Sequence, residues 1–83
     1  HPTTISVKMK ACILVKTSSG KHKDVSKKIK GMNGVKMVFP TFGRTDVVVD
    51  AKVSDFKELA SLLSKISGIK GVLATETLIA LEV

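Results

Sequence analysis

The sequence predicts a small α+β domain with the element order βαββαβ. Its 83 residues are enough for one core, and a content of 43% hydrophobic and 25% charged residues is typical of a globular domain. An internal repeat supports the order, because the pattern K-I-x-G-[MI]-x-G-V starts at residue 28 and again at residue 65. A spacing near half the chain length indicates two copies of one supersecondary unit.

The first half predicts a strand, a helix and a second strand. Residues 10–17 are apolar and rich in β-branched side chains, and they run into a turn-forming Thr-Ser-Ser-Gly segment. Residues 21–30 predict an amphipathic helix, because Val25 and Ile29 lie four residues apart among lysines and Gly31 ends the pattern. Residues 35–42 predict the second strand. Pro40 places this strand at a sheet edge, because proline cannot donate a backbone hydrogen bond.

The second half repeats these elements. Residues 46–53, with three consecutive valines, predict the third strand, and residues 72–81 predict the fourth. Between them Ser54 or Asp55 caps a helix that ends at Gly68. Its apolar side chains recur at helical spacing: Phe56, Leu59, Leu63 and Ile66. With right-handed crossovers this order gives a ferredoxin-like sandwich, a four-stranded antiparallel sheet with two helices on one face.

The uncovered face of the predicted sheet indicates self-association. Two helices cover only one face of a four-stranded sheet. The first and third strands nevertheless read as apolar on both faces, as strands buried on both sides do. We therefore expect a homodimer formed through the second face, with Cys12, Ile13 and Leu14 in the interface.

The chain divides into a short leading segment and one domain. Residues 1–8 are predicted to be a tail, a tag remnant or a linker, with Met9 as a native start, and residues 9–83 form the domain. No apolar run approaches the roughly 20 residues needed to span a bilayer, and no secretory signal is recognisable. The single cysteine excludes an internal disulfide, so a reducing, cytoplasmic location is expected.

The positive charge is concentrated in the first half. Residues 1–44 hold ten lysines or arginines against one acid, whereas residues 45–83 hold four against six acids. The lysines of residues 21–30, with His22, are read as a solvated helix face, and phosphate binding at low salt is the alternative. Trp and Tyr are absent, so a base-stacking platform is excluded. No sequence-specific DNA binding is expected of this domain alone, and any non-specific binding should be lost at physiological salt.

The residues offer no catalytic constellation, so neither an enzyme nor a cofactor is predicted. Cys12 lacks a predictable general base and is favoured as a small buried apolar side chain. Asn33 and Arg44 are the groups an acylphosphatase would need, and the chain resembles those enzymes in size and charge. Residues 17–20, where such enzymes carry their arginine, contain none. A single cysteine also excludes the C-x-x-C loop of a metal chaperone, so no metal site is predicted.

Two segments carry a family resemblance. One is Phe-Gly-Arg-Thr-Asp at residues 42–46, and the other is Gly-Val-Leu-Ala-Thr-Glu-Thr at residues 71–77. They combine with an alanine followed by β-branched residues in the first strand and a Gly-Val opening the second. In order and spacing these features resemble the RAM domain, the amino-acid-sensing half of the Lrp/AsnC transcription regulators, over about residues 9–82.

The resemblance implies a non-catalytic effector-binding and oligomerisation module. Such domains are expected to dimerise through their sheets, to assemble into rings, to associate with full-length regulators of the family, and to bind a free amino acid between dimers. The implied effector-binding residues are Gly43, Arg44, Thr45, Asp46, Thr75, Glu76 and Thr77. Thr45 stands where an aromatic residue is common, and the usual helix-turn-helix domain is absent from these 83 residues.

A purely structural dimerisation module without a ligand remains the first alternative, and an acylphosphatase-like enzyme is the second. In the structural module Gly43 only allows a tight turn, Asp46 caps that turn, and Thr75 and Thr77 are ordinary strand residues.

Overall fold

The structure, a computed structural model, describes residues 9–41 and 45–81. Its elements are β1 (Met9–Thr17), α1 (His22–Lys30), β2 (Val35–Pro40), β3 (Val47–Val53), α2 (Phe56–Ser67) and β4 (Val72–Leu81). This is the predicted order, βαββαβ. Among the described residues, no helix is both long and apolar enough to cross a membrane.

The four strands form one antiparallel sheet in the order β2-β3-β1-β4. The central pair is β1 and β3, and β2 lies at an edge, as Pro40 predicts. Strand β2 is shorter than predicted, since it ends at Pro40. The predicted ferredoxin-like sandwich is confirmed.

The core lies between the sheet and the two helices. In β1 every second side chain is buried, including Ala11, Ile13 and Val15, and β3 contributes Val47, Val49, Ala51 and Val53. The helices cover them with their own buried side chains: Val25, Ile29, Leu59, Leu62 and Ile66. Ile13 is 0% exposed on this helix-covered face. Placing Ile13 in a sheet-to-sheet interface is therefore wrong, because side chains alternate between faces and its neighbours Cys12 and Leu14 point the other way.

The second face of the sheet carries no helix and is called the open face here. Its residues follow from the strand register: Lys10, Cys12, Leu14, Lys16, Met37, Phe39, Val48, Asp50, Lys52, Ala74, Glu76, Leu78 and Ala80. Cys12, Leu14 and Val48 are half-buried at its centre, whereas Met37 and Leu78 are more than half exposed. The prediction of strands apolar on both faces holds for Cys12, Leu14 and Val48, and it fails at Asp50 in the middle of β3 and at the lysines near the strand ends. Cys12 is half-buried in the single chain, not buried as the sequence suggested.

Helix α2 begins with the predicted cap. The Asp55 Oδ1 accepts a hydrogen bond from the Glu58 N–H at 2.8 Å, and the Glu58 carboxylate lies 3.4 Å from the Ser54 N–H. Phe56 was predicted to share the apolar stripe, but it is 66% exposed. It is the first residue of the helix, and the buried stripe starts a turn later, at Leu59 and Leu62.

The internal repeat corresponds to two equivalent helix-to-strand turns. In the first, the N–H of Met32 donates to the Ile29 carbonyl at 2.9 Å, and in the second the N–H of Ile69 donates to the Ile66 carbonyl at 3.1 Å. Each turn closes on a glycine with positive φ, +91° at Gly34 and +103° at Gly71, a region that other residues rarely adopt. The repeated motif therefore encodes the same structure twice.

Candidate functional site

The turn between β2 and β3 is held at its base by Thr41, Thr45 and Asp46. The N–H of Thr41 donates to the Asp46 carbonyl at 3.0 Å, and the Thr41 hydroxyl donates to the Thr45 carbonyl at 2.8 Å. The Asp46 N–H donates to the Val15 carbonyl at 3.0 Å, which fixes the turn to the end of β1. The other two candidates of this turn, Gly43 and Arg44, lie outside the described residues.

The Asp46 side chain completes the end of the sheet. Its Oδ2 accepts a hydrogen bond from the Thr17 N–H at 2.8 Å, although the two residues are 29 positions apart. Thr17 lies beyond Val15, the last residue of β1 that pairs with β3, so the carboxylate stands in for the missing backbone acceptor. The Asp46 carboxylate therefore uses one of its two oxygens to hold the end of β1.

Replacing Asp46 by alanine is therefore expected to destabilise the fold. A buried N–H left without an acceptor costs about 1–3 kcal/mol, and Thr17 is buried. Asp46→Asn keeps an oxygen acceptor at the same place and should cost less. Urea unfolding at one protein concentration measures both changes. Equal stability of Asp46→Ala and the parent chain would show that this hydrogen bond does not support the sheet.

Strand β4 supplies the remaining candidates, but on two faces. Thr75 pairs with Val15 and Thr77 with Ile13, so both threonines lie on the helix-covered face and are half-buried. Glu76 pairs with Leu14 and is exposed on the open face. The structure therefore separates Glu76 from the two threonines.

The β2–β3 turn and the start of β4 lie at the same end of the sheet. Val15 pairs with Val47 on one side and with Thr75 on the other, so the turn and Thr75 are separated by one strand, about 10 Å across. The Ser18 N–H also donates to the Gly71 carbonyl at 2.8 Å, which ties the loop after β1 to the entry of β4. The described candidates thus lie near one end of the sheet, which is called the candidate edge below.

The described candidates do not line the three main grooves of the described residues. Three grooves of about 470, 590 and 200 Å³ lie elsewhere, against α1, α2 and the end of β3. A small ligand is usually held in a concavity that buries most of its surface. For the described part of one chain, the candidate site is therefore a platform that a second surface would have to close.

The phosphatase-like reading pairs Asn33 with Arg44, and Arg44 lies outside the described residues. Asn33 lies in the turn before β2, whereas Thr41 and Thr45, which flank Arg44 in sequence, lie after it. The six residues of β2 separate the two turns by about 20 Å. Within residues 9–41 and 45–81, no three His, Cys, Asp or Glu side chains gather as metal ligands would.

A protein-family comparison decides the classification. The model of the Lrp/AsnC ligand binding domain matches residues 10–83. The chain belongs to the Lrp/AsnC family. The resemblance drawn from the two sequence segments is thereby confirmed.

Curated relatives of this Lrp/AsnC chain are transcription regulators. It is 31% identical over 83 residues to the HTH-type transcriptional regulator FL11 of Pyrococcus furiosus, and 33% identical over 82 residues to FL11 of Pyrococcus abyssi. The matches cover 100% and 99% of this chain but 55% and 54% of the relatives. The chain therefore spans about half the length of the curated relatives it matches.

Solved structures share the fold along most of the chain. TTHA0845 from Thermus thermophilus superimposes with a TM-score of 0.85 at 25% identity, covering 90% of this chain and 95% of that one. AsnC of E. coli gives a TM-score of 0.79 at 22% identity, covering 87% of this chain and 50% of its own. The latter likeness supports the fold alone.

Sequence reasoning missed the residues that shape the candidate site. Thr17 and Thr41 position Asp46 and Thr45 through hydrogen bonds. Neither threonine belongs to the two segments that carry the family resemblance, and no periodicity links positions 17 and 46. Only the register of β1 against β3 brings these residues together.

Proposed function

We propose that this chain is a non-catalytic module that binds a free amino acid and controls the assembly of a Lrp/AsnC-type regulator. The family match over residues 10–83 is the observation that carries the proposal. The family model describes ligand binding and not a reaction, and the curated relatives are transcription regulators. A cytoplasmic location belongs to the same proposal.

The candidate edge offers groups that suit an amino acid. The Asp46 carboxylate can accept a charge-assisted hydrogen bond from an ammonium group through Oδ1, while Oδ2 remains on Thr17. The Thr75 and Thr77 hydroxyls, together with Arg44, can hold a carboxylate. Glu76 points to the open face and is assigned to assembly instead of to the ligand. Because the edge is open, a neighbouring copy is expected to complete the site, which links binding to oligomerisation.

Dimerisation through the open face is the second part of the proposal. The open face has an apolar centre that is exposed to solvent in the single chain. It consists of half-buried Leu14 and Val48 together with Phe39, which is 40% exposed, and Leu78, which is 56% exposed. Exposed apolar patches of this kind mark association surfaces. Larger rings and association with full-length relatives would then use surfaces outside this face.

A thermal-shift screen against the common amino acids tests ligand binding. A ligand at a hundred times its Kd adds about 2.7 kcal/mol to the stability of the folded chain, which raises the melting temperature of a domain this size by roughly 10 °C or more. The structural module without a ligand predicts no shift with any amino acid.

Two conservative variants locate the bound amino acid at the proposed edge. Asp46→Asn should lower the affinity about tenfold, because a charge-assisted contact is lost while the acceptor for Thr17 remains. Thr75→Val removes one neutral hydrogen bond and should lower the affinity about fivefold. Calorimetric titration measures both, and Thr75→Ser, which keeps the hydroxyl, is the matched control. Unchanged affinity in Asp46→Asn and Thr75→Val would move the ligand site away from this edge.

A further inference from the structure

A separate groove of about 470 Å³ lies between α1 and the edge strand β2. Its wall on the sheet side is apolar, formed by Val38 and Pro40. Its helix side is polar and carries His22, Lys23, Asp24, Ser26, Lys27 and Lys30. The volume is within the range of small-molecule sites. We call it the α1–β2 groove, and none of the amino-acid-binding candidates that the structure describes lines it.

The hydroxyl of Ser26 lacks a partner inside this groove. Its Oγ is buried and makes no hydrogen bond to any described residue. A helical serine commonly donates a hydrogen bond to the carbonyl one turn back. A buried polar atom without a partner is rare, because the hydrogen bonds to water that it loses on burial are not replaced. Ser26 also lines the groove, so a rotation about its Cα–Cβ bond would bring this unpartnered hydroxyl to a ligand there.

The cations of the groove are arranged unfavourably for an isolated helix. Lys23, Lys27 and Lys30 recur at spacings of four and three residues, so their like charges face one another on one side of α1. Lys21, at the helix N-cap, makes no side-chain cap hydrogen bond, and Lys23 puts positive charge in the first turn, where the helix dipole disfavours it. The acidic Asp24 offsets only part of this charge. A bound anion would relieve both effects.

We propose that the α1–β2 groove binds a small organic phosphate. The phosphate oxygens accept hydrogen bonds from the ammonium groups of Lys27 and Lys30, and from the Ser26 hydroxyl once its side chain rotates towards the groove. The organic part lies against the apolar side chains of Val38 and Pro40. A nucleic-acid backbone is less suitable, because it would follow the exposed lysines of the helix, including Lys28, without using a hydroxyl inside the groove.

Titration with adenosine 5′-monophosphate tests the proposal, with adenosine and inorganic phosphate as comparisons. We expect saturable binding at physiological ionic strength, where diffuse attraction is screened. Backbone amide NMR signals of Ser26 and Lys27 should shift, and adenosine and phosphate alone should each bind at least about tenfold more weakly.

Variants with the same change of charge distinguish binding in the groove from non-specific electrostatic attraction to the helix. Lys27→Glu should weaken binding of the monophosphate about tenfold or more, and Ser26→Ala about threefold to tenfold. Lys28 neighbours Lys27 on the same helix but does not line the groove, so Lys28→Glu should change the affinity less than about twofold. Circular dichroism shows whether each variant keeps its helices.

Three outcomes would overturn the proposal. Equal affinities for the monophosphate and adenosine would show that the phosphate is not recognised. Equal losses in Lys27→Glu and Lys28→Glu would show a diffuse charge effect. Duplex DNA that binds more tightly than the monophosphate, with no change in Ser26→Ala, would assign the basic face to nucleic acid.

Discussion

Replacing Leu14 by lysine is expected to convert a dimer of this chain into a monomer. Leu14 is half-buried at the centre of the open face, between its cross-strand partners Val48 and Glu76. In a sheet-to-sheet dimer an ammonium group at this point is buried without a partner, which costs at least about 3 kcal/mol and raises the dissociation constant about a hundredfold. Sedimentation velocity at micromolar concentration measures the change.

A matched substitution on the helix side serves as the control. Phe56→Lys adds the same charge at a residue that is 66% exposed at the start of α2, so the dimer should persist. Val48→Lys is a second disrupting variant, which is needed if Leu14→Lys does not fold. The dimer model would be refuted by a parent chain that sediments as a monomer, or by folded Leu14→Lys and Val48→Lys variants that still dimerise.

Truncating Ile13 to alanine is expected to lower the free energy of unfolding by about 2–5 kcal/mol. Ile13 is 0% exposed and lies under both helices on the central strand, so the change removes apolar contacts and leaves a cavity. Small domains are stabilised by only about 5–15 kcal/mol in total. The variant should therefore unfold at much lower urea concentration than the parent chain.

An exposed apolar residue provides the comparison for Ile13. Leu73 is 62% exposed, so Leu73→Ala should change stability by less than about 0.5 kcal/mol. Both variants must be unfolded at the same protein concentration, because dimerisation contributes to apparent stability. Similar losses for the two would contradict the assignment of Ile13 to the core.

Local signals in the sequence predicted most of the fold. Pro40 marks the edge strand, Asp55 and Glu58 form the helix cap, and the repeated Gly-x-x-Gly turns mark where each helix passes into a strand. Each of these features depends on residues close together in the chain, so the sequence alone is enough to predict it.

The wrong predictions concern residues whose environment depends on how the strands and helices pack together. Ile13 was assigned to the open face because an apolar strand does not reveal which alternate set meets the helices. Phe56 matched the helical period but lies where α2 begins, ahead of the buried stripe. The contact of Asp46 with Thr17 joins strands through the sheet register, which no local pattern contains.

The candidate effector site was predicted by resemblance more than by physics. In the described residues, the β2–β3 turn and the entry of β4 lie at the same end of the sheet. The structure also separates Glu76 from Thr75 and Thr77, which strand alternation alone implies. Phosphate binding by the lysines of α1 was only the alternative reading of the sequence, because the groove between α1 and β2 appears only in the fold.

Calorimetric titration of the chain with each common amino acid tests the central claim most directly. The proposal predicts saturable heat of binding for at least one amino acid at or below millimolar concentration, with a stoichiometry that matches the proposed site between dimers. If no amino acid binds at millimolar concentration, the sensor hypothesis fails for this chain, and a purely structural dimerisation module remains.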